Sequence, residues 1–437
     1  MANHAQGGTL DYPHDMDPLL GYTLGVIISS DVEDYRSVRA AEAVLVKWYR
    51  EQGFDSIYNL MGLVDNCTLP DYFSGPEWEE RYLATRLSEE RLDPLAKEHL
   101  GGDDGFRAMV LNRTTSAAVT VMLALAEPGT TVPYLVPPFA NPRPEWTIKG
   151  HGHPCTVRGI ALAGAEAPII YSLDDLQDTL ANRTVSAVAI CPHYRGALRE
   201  EELREAIRLG NEAKVPVWVD DASGARSRVI LEGEPRAIDM GADVVVTSCE
   251  KFGLNGPRAG LVLGRNDLMD RIGTKATILG TEGRPSIWAA VVRALEEWSP
   301  EVSLKGAHAS EEYARRLQSL AREIFGNRVG PEGSFLIGEE DTLEIVMERL
   351  GLTQCEFAPV DAITALAMIL LRRYGYMTLP ALSYPGASKR IAIRPPRRDQ
   401  EPPDPEVVVR NLDAAFDELA SAITSREEME KLLFGPP

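Results

Sequence analysis

The sequence predicts an α/β fold: a mostly parallel central sheet with helices on both faces, followed by a smaller α+β C-terminal domain. Three observations predict it. Short Val- and Ile-rich runs alternate with helix-period segments from residue 106 to 264, and parallel strands need such crossover helices. Several runs are apolar at successive positions rather than at every second one, as strands covered on both faces are. Beyond about residue 300 the alternation gives way to long helical segments and one alternating stretch, "SKRIAIRP".

Taken in order, residues 1 to about 20 carry Gly, Asp, Pro and His without a period and read as a flexible arm. Val38, Ala41, Val44, Leu45 and Trp48 recur at helical spacing, and 76–99 reads as a second helical region. "FRAMVLN" is a short apolar run, and "RTTSAAVTVMLALAEPG" is a helix closed by Pro-Gly. "TTVPYLVP", "VSAVAICP", "VPVWVDD", "DVVVTS" and "AGLVLG" are strand candidates, with the helix "EEELREAIRLGNEAK" between the second and third. "SIWAAVVRALEEW" and "EEYARRLQSLAREIFG" are helices leaving this core. "DTLEIVMERL", "DAITALAMILLRRYG" and the amphipathic "EVVVRNLDAAFDELASAI" supply the helices of the last domain. "RPPRRDQEPPDPE" reads as a solvated loop. The expected organisation is an N-terminal arm with helices over 1–100, a large domain over 101–299 and a small domain over 300–437.

Composition narrows the function. Lys and Arg number 45 against 65 Asp and Glu, so the net charge is 45 − 65 = −20. That balance disfavours nucleic acid, whose phosphates are bound by clustered cations. Five scattered cysteines without a CxxC pair read as reduced thiols of a cytoplasmic protein. The N-terminus shows no signal-peptide pattern, and the longest apolar runs are too short to span a bilayer, so no membrane partner is expected. No G-x-x-x-x-G-K-[ST] loop is present, which counts against nucleotide hydrolysis.

The stretch "VVVTSCEKFGLNGPRAGLVLG" places Lys251 just past a buried strand, among small residues. Upstream, "VPVWVDDASGAR" puts Asp220 at a strand end with Ala222, Ser223 and Gly224 beyond it. A carboxylate among small residues can face a flat ligand. The two positions lie 31 residues apart, about one crossover plus a strand, so both can reach one sheet edge. Thr114, Thr115 and Ser116 open a helix, where free N–H groups and the dipole suit an anion, although such a start is also an ordinary cap. His151, His153 and Cys155 invite a metal reading, but a metal site needs three or four ligands and no second cluster accompanies them. No metal is expected.

These motifs resemble the fold-type-I pyridoxal phosphate (PLP) enzymes: Asp-x-Ala at a strand end, Ser-x-x-Lys after a strand, then Gly-Pro-Arg-x-Gly. The likeness is closest to the selenocysteine synthase (L-seryl-tRNA selenium transferase)-like group. It covers roughly Asn112 to Gly264 through "NRTTSAA", "GHPCTVRGIALAGAE", "VDDASGAR" and "TSCEKFGLNGPRAG". The resemblance implies pyridoxal 5'-phosphate as cofactor, with Lys251 holding its aldehyde as an imine and then moving protons at Cα. It implies that Asp220 keeps the pyridine nitrogen protonated. Asp221 is the rival, because adjacent strand residues face opposite ways. Thr114, Thr115, Ser116 and Ser248 would hold the phosphate, Ala222 and Ser223 would line the ring, and His153 would stack on it. Arg390 or Arg258 would pair with a substrate carboxylate, with Arg394 structural. His193 follows a strand and could touch cofactor or substrate, or lie in a surface loop.

Relatives often read Ser-x-Asp-Lys, whereas Glu250 precedes the lysine here. The N-terminal "DVEDY" and "GPEWEERY" are mixed to acidic and ill suited to tRNA. The expected activity is therefore lyase or transferase chemistry at Cα of an amino-acid substrate not carried on tRNA, in a homodimer or higher homo-oligomer with a shared site. The alternatives are an O2-using oxidative decarboxylase of specialised metabolism and a PLP-fold binding protein without catalysis.

Overall fold

Periodicity and caps set the elements. The structure, a computed structural model, describes residues 10–17, 19–20, 22–137, 153–193, 197–330, 334–383, 389–395 and 400–435, with only the backbone of Arg81. Ser30 caps α1 (Asp31–Gln52) by accepting the Val32 N–H, and Asp31, Glu33 and Asp34 load its first turn against the helix dipole. A short strand, β1 (Tyr58–Asn59), follows, and then α2 (Arg81–Leu100). The α/β core comes next: β2 (Phe106–Leu111), α3 (Thr114–Leu125), β3 (Tyr134–Leu135), α4 (Pro154–Leu162), β4 (Ile169–Ile170), α5 (Leu173–Asn182), β5 (Val188–Ile190), α6 (Glu200–Glu212), β6 (Val217–Asp220), the short α7 (Gly224–Ser227), β7 (Val244–Ser248), β8 (Gly260–Arg265), α8 (Asn266–Leu279) and α9 (Pro285–Glu296). The long α10 (Pro300–Phe325), β9 (Leu336–Ile337), α11 (Glu339–Leu350), α12 (Pro359–Tyr374), β10 (Tyr376–Met377), α13 (Leu379–Leu382), β11 (Ile391–Ala392), α14 (Pro405–Ala422) and α15 (Arg426–Phe434) complete the chain.

The contacts divide the chain into two compact units. One is Val64–Ala307; the other joins Met1–Leu63 to His308–Pro437. This differs from the three-part division read along the sequence: α1 groups with the C-terminal residues, and α2 groups with the sheet.

In the first unit seven strands run in the order β2-β8-β7-β6-β5-β3-β4. Neighbours from β4 to β7 pair parallel, and β8 runs antiparallel between β7 and β2. The sheet is thus mostly parallel, with one reversed strand. Every residue of β6 and β7 is buried, which explains their unbroken apolar runs. Val217, Val219, Val245 and Leu261 pack with Ile207 of α6 and Val291 of α9 in one core. The strand β4 escapes the sequence pattern because it has only two residues, too few to show a period.

In the second unit, Pro359 to Leu371 of α12 is buried on all sides and forms its centre. Two two-stranded pairings flank the helices: β1 with β10, parallel, and β9 with β11, antiparallel. Described parts of the expected flexible arm are packed. Tyr12 is buried with its hydroxyl 3.1 Å from Glu344, and just past the arm the N–H groups of Val26, Ile27 and Ile28 all donate to Asp361. Among the described residues no helix is long and apolar enough to cross a membrane.

Candidate active site

Parallel strands end at one edge of a sheet, and ligands of such sheets bind there. Cys191 after β5, Asp220 closing β6 and Ser248 closing β7 stand at that edge of the first unit, and Tyr134 opens the neighbouring β3. Asp220 is only 5% exposed. Among the described residues its Oδ1 has no hydrogen-bond partner. Burial raises its carboxyl above the usual carboxylate range, while the charges of His153 and Lys251 pull the other way. A buried carboxylate oxygen left without a donor costs free energy, and a protonated ring nitrogen is the donor that would satisfy it.

The rival aspartate is already occupied. Arg228 Nη2 donates to Asp221 Oδ2 at 2.6 Å in the interior, and Arg228 Nη1 reaches Glu234 at 2.7 Å. Asp221 is therefore half of a buried ion pair, and Asp220 is the aspartate with an open valence. Asp221→Ala should strand the Arg228 charge. The expected loss of unfolding free energy in denaturant titration is about 3 kcal/mol, the low end for a broken buried pair because Glu234 remains.

His153 precedes α4, and its N–H donates to the Tyr134 hydroxyl at 3.1 Å. Burial pushes the His153 imidazole down to about 4, against the pull of Asp220. The ring is thus neutral near pH 7. Tyr134 is fully buried, and its phenol is pushed well above its ordinary value by burial, then by Cys191 and Asp220.

Lys251 is half-buried, and among the described residues its amine makes no ion pair or hydrogen bond. The loop carrying it is cinched at the neck: the Cys249 N–H donates to the Ala259 carbonyl at 3.0 Å, and the Gly256 N–H to the Cys249 carbonyl at 2.9 Å. A Cβ on Gly256 would lie 2.7 Å from that same Cys249 oxygen, which is why glycine stands there. Phe252 takes φ +46°, rare for a residue with a side chain. Arg226 braces the loop from within. It is fully buried, and it donates to the carbonyls of Ser248 (2.6 Å) and Lys251 (3.1 Å) and to Thr247 Oγ1 (3.1 Å). Burial lowers its guanidinium only to about 10, so it remains a cation. Arg293 braces the other side, donating to the carbonyls of Asn255 (2.8 Å) and Thr68 (2.9 Å).

The phosphate candidates separate. Thr114 Oγ1 lies 2.8 Å from Ser248 Oγ, so the start of α3 meets the end of β7. Gly260 permits this approach, since a Cβ there would come within 2.6 Å of the Ala117 methyl and 3.0 Å of Thr114 Cα. Ser116 is turned to local capping, accepting the Arg113 N–H at 3.1 Å. Its backbone N–H and those of Thr114 and Thr115 fall in the first turn, where no intrahelical acceptor exists. Thr115 and Ser223 are half-buried, and the Ala222 carbonyl accepts the Ser248 N–H at 3.0 Å.

Arg258 is exposed, and its N–H donates to Asp65 at 2.9 Å. His193 is exposed, with Nδ1 3.3 Å from Ser227 Oγ. Glu250 is buried; among the described residues one of its oxygens lacks a partner, and burial raises its carboxyl while Lys251 and Arg258 oppose the shift. Arg390 belongs to the other compact unit, beside Lys389, whose amine pairs with Asp34 in the interior. His151 lies outside the described residues. Among the described residues no three His, Cys, Asp or Glu side chains gather to hold a metal ion.

Sequence reasoning missed Tyr134, Cys191, Arg226 and Arg293. Each stands inside a quoted stretch, but only Arg226, in "VDDASGAR", lies in a motif that carries the resemblance.

The hydroxyls where Thr114 meets Ser248, and an Asp220 oxygen and a Lys251 amine without partners among the described residues, fit pyridoxal phosphate. Fold and site together define a PLP-dependent enzyme of fold type I. A serine palmitoyltransferase from S. paucimobilis shares the fold, with TM-score 0.51 at 15% identity over 87% of this chain and 84% of that one. The chain belongs to the UPF0425 pyridoxal phosphate-dependent proteins. It is 30% identical over 412 residues to the UPF0425 pyridoxal phosphate-dependent protein of Methanothermobacter thermautotrophicus, covering 94% of this chain and 100% of the relative. The protein of that name in Methanosphaera stadtmanae is 28% identical, covering 87% and 93%. The UPF0425 C-terminal domain family matches residues 333–398, and the L-seryl-tRNA selenium transferase family matches residues 190–278. An L-seryl-tRNA(Sec) selenium transferase of Nitratidesulfovibrio vulgaris is 30% identical over 36% of this chain and 38% of its own.

Proposed function

We propose that this protein acts at Cα of a free amino-acid substrate, as a lyase or transferase, and not on an aminoacyl-tRNA. The observation that carries the reading is the buried, unpartnered Oδ1 of Asp220 beside Lys251 and His153. When bound, the cofactor supplies an electron sink for charge developing at Cα. The chain's residues supply the rest. Thr114, Ser248 and the first-turn N–H groups of α3 seat the phosphate. Asp220 holds the positive charge at the ring nitrogen, and neutral His153 offers a flat face without adding a second cation. Lys251 tethers the cofactor, then takes and returns the proton at Cα from a backbone that Arg226 fixes. Within this unit Arg258 is the candidate for the substrate carboxylate, because a guanidinium matches two oxygens at once. His193 stands near enough to Ser227 of α7 to serve the rim of the same edge.

Support for a substrate other than tRNA comes from charge. A chain at −20 repels the phosphates of a long polyanion. The test is a panel of free amino acids, glycyl nucleosides and seryl-tRNA. Absorbance, ammonia, pyruvate, CO2 and O2 would be followed for each. Turnover of a free amino acid with pyruvate or ammonia release is the expected result. O2 consumption coupled to CO2 release selects the oxidative decarboxylase instead. Turnover of seryl-tRNA alone overturns the proposal, and spectral binding without any product leaves the protein a binding module.

A further inference from the structure

Helix α1 has an inner face, where Asp34, Ser37 and Ala41 are buried, and an outer face that no described element covers. The outer face is not uniformly polar. Val32 is 64% exposed, Tyr35 56%, Val46 46% and Tyr49 53%. Arg39 and Glu42 stand between the two apolar pairs, with side chains 63% and 45% exposed, and form an intrahelical ion pair. At 100° per residue these six positions fall on one stripe about one third of the helix circumference wide.

The order along the stripe is symmetric about a point midway between residues 40 and 41. Reversing the helix about that point exchanges Val32 with Tyr49, Tyr35 with Val46, and Arg39 with Glu42. It also exchanges exposed Asp31 with exposed Arg50. Apolar positions map onto apolar ones, and each of these charges maps onto its opposite. A two-fold axis at that point would lay two copies of α1 antiparallel, which is what an isologous contact demands of a surface. A hollow bordered by Arg39, Glu42, Val46 and Arg50 leaves room for side chains from a second helix.

We propose that the outer face of α1 is a two-fold contact between two copies of this chain. Arg39 of each copy meets Glu42 of the other at the centre, and the Val32–Tyr35 and Val46–Tyr49 clusters cover each other at the ends. The contact is independent of the reaction assigned to the active site.

The experiment is mass measurement by light scattering on the full chain with PLP, at micromolar concentration. Arg39→Glu and Glu42→Arg each set like charges against like across the axis, and Val46→Glu puts a charge in the apolar cluster. Each of the three is expected to halve the assembly mass with the circular dichroism unchanged, since all three positions are on the surface. An equimolar mixture of the Arg39→Glu and Glu42→Arg chains should recover the wild-type mass. One chain then carries acidic side chains at both central positions and the other carries basic ones, so every pair across the axis is attractive. That recovery cannot come from the intrahelical pair, which stays broken in both chains. A monomeric wild type, variants at the wild-type mass, or a mixture that stays at half mass would each overturn the contact.

Discussion

Lys251→Ala, purified with excess PLP, is expected to show only the absorbance of free cofactor and to lose it on gel filtration. The wild-type protein should stay coloured in the near-visible and retain the cofactor. Turnover should fall by roughly 10²–10⁴, the usual worth of a positioned acid–base group, with the loss of the tether added to it. The variant should fold normally. Arg226 grips the carbonyl of residue 251, not its side chain, and that carbonyl is unchanged by the substitution. A Lys251→Ala protein that kept the wild-type colour through gel filtration would remove the basis of the proposed function.

Asp220→Asn gives the second large effect, in opposite directions for the two forms of the protein. In the holoenzyme the variant loses the charge facing the ring nitrogen. A partner charge shifts a pKa by roughly 1–3 units, which is about 1.4–4 kcal/mol, so turnover should drop about 10- to 1000-fold. In the apoprotein the sign reverses. Burial raises the Asp220 carboxyl above its unfolded value, so the native state binds the proton more tightly than the unfolded state. Stability is then highest below the unfolded pKa and is lost as pH rises through the folded one. The neutral amide escapes that loss. The apo variant should melt above apo wild type near pH 7, and the gap should close as pH falls into the carboxylate range. A gap that widened on acidification would mean that Asp220 is stabilised as a carboxylate by a partner within the chain.

Much of this arrangement was legible because it is local. The unbroken apolar runs of β6 and β7 report burial on two faces, and the Asp-x-Ala and Ser-x-x-Lys spacings place two side chains at the ends of those strands. The rest depends on distant neighbours. In "DDA" the Asp-x-Ala spacing favours Asp220 over Asp221, but it does not show what occupies the rival; that comes from Arg228, seven residues on, turning inward to claim Asp221. Ser116 looks like Thr114 in sequence, yet one caps its own helix and the other reaches Ser248 across 134 positions. Arg226 and Arg293 escaped notice because arginines are expected outside. Their donors are spent on backbone carbonyls that the sequence does not mark.

The closed neck of the loop between Ser248 and Gly260 bears on the tempo of the reaction. Its backbone is pinned at both ends and gripped by two guanidinium groups, so the amine of residue 251 can travel only by turning about its own side-chain bonds. Such rotations in accessible residues take picoseconds to nanoseconds. Under the role proposed for Lys251, exchanging one covalent partner for another would then ask nothing of the main chain.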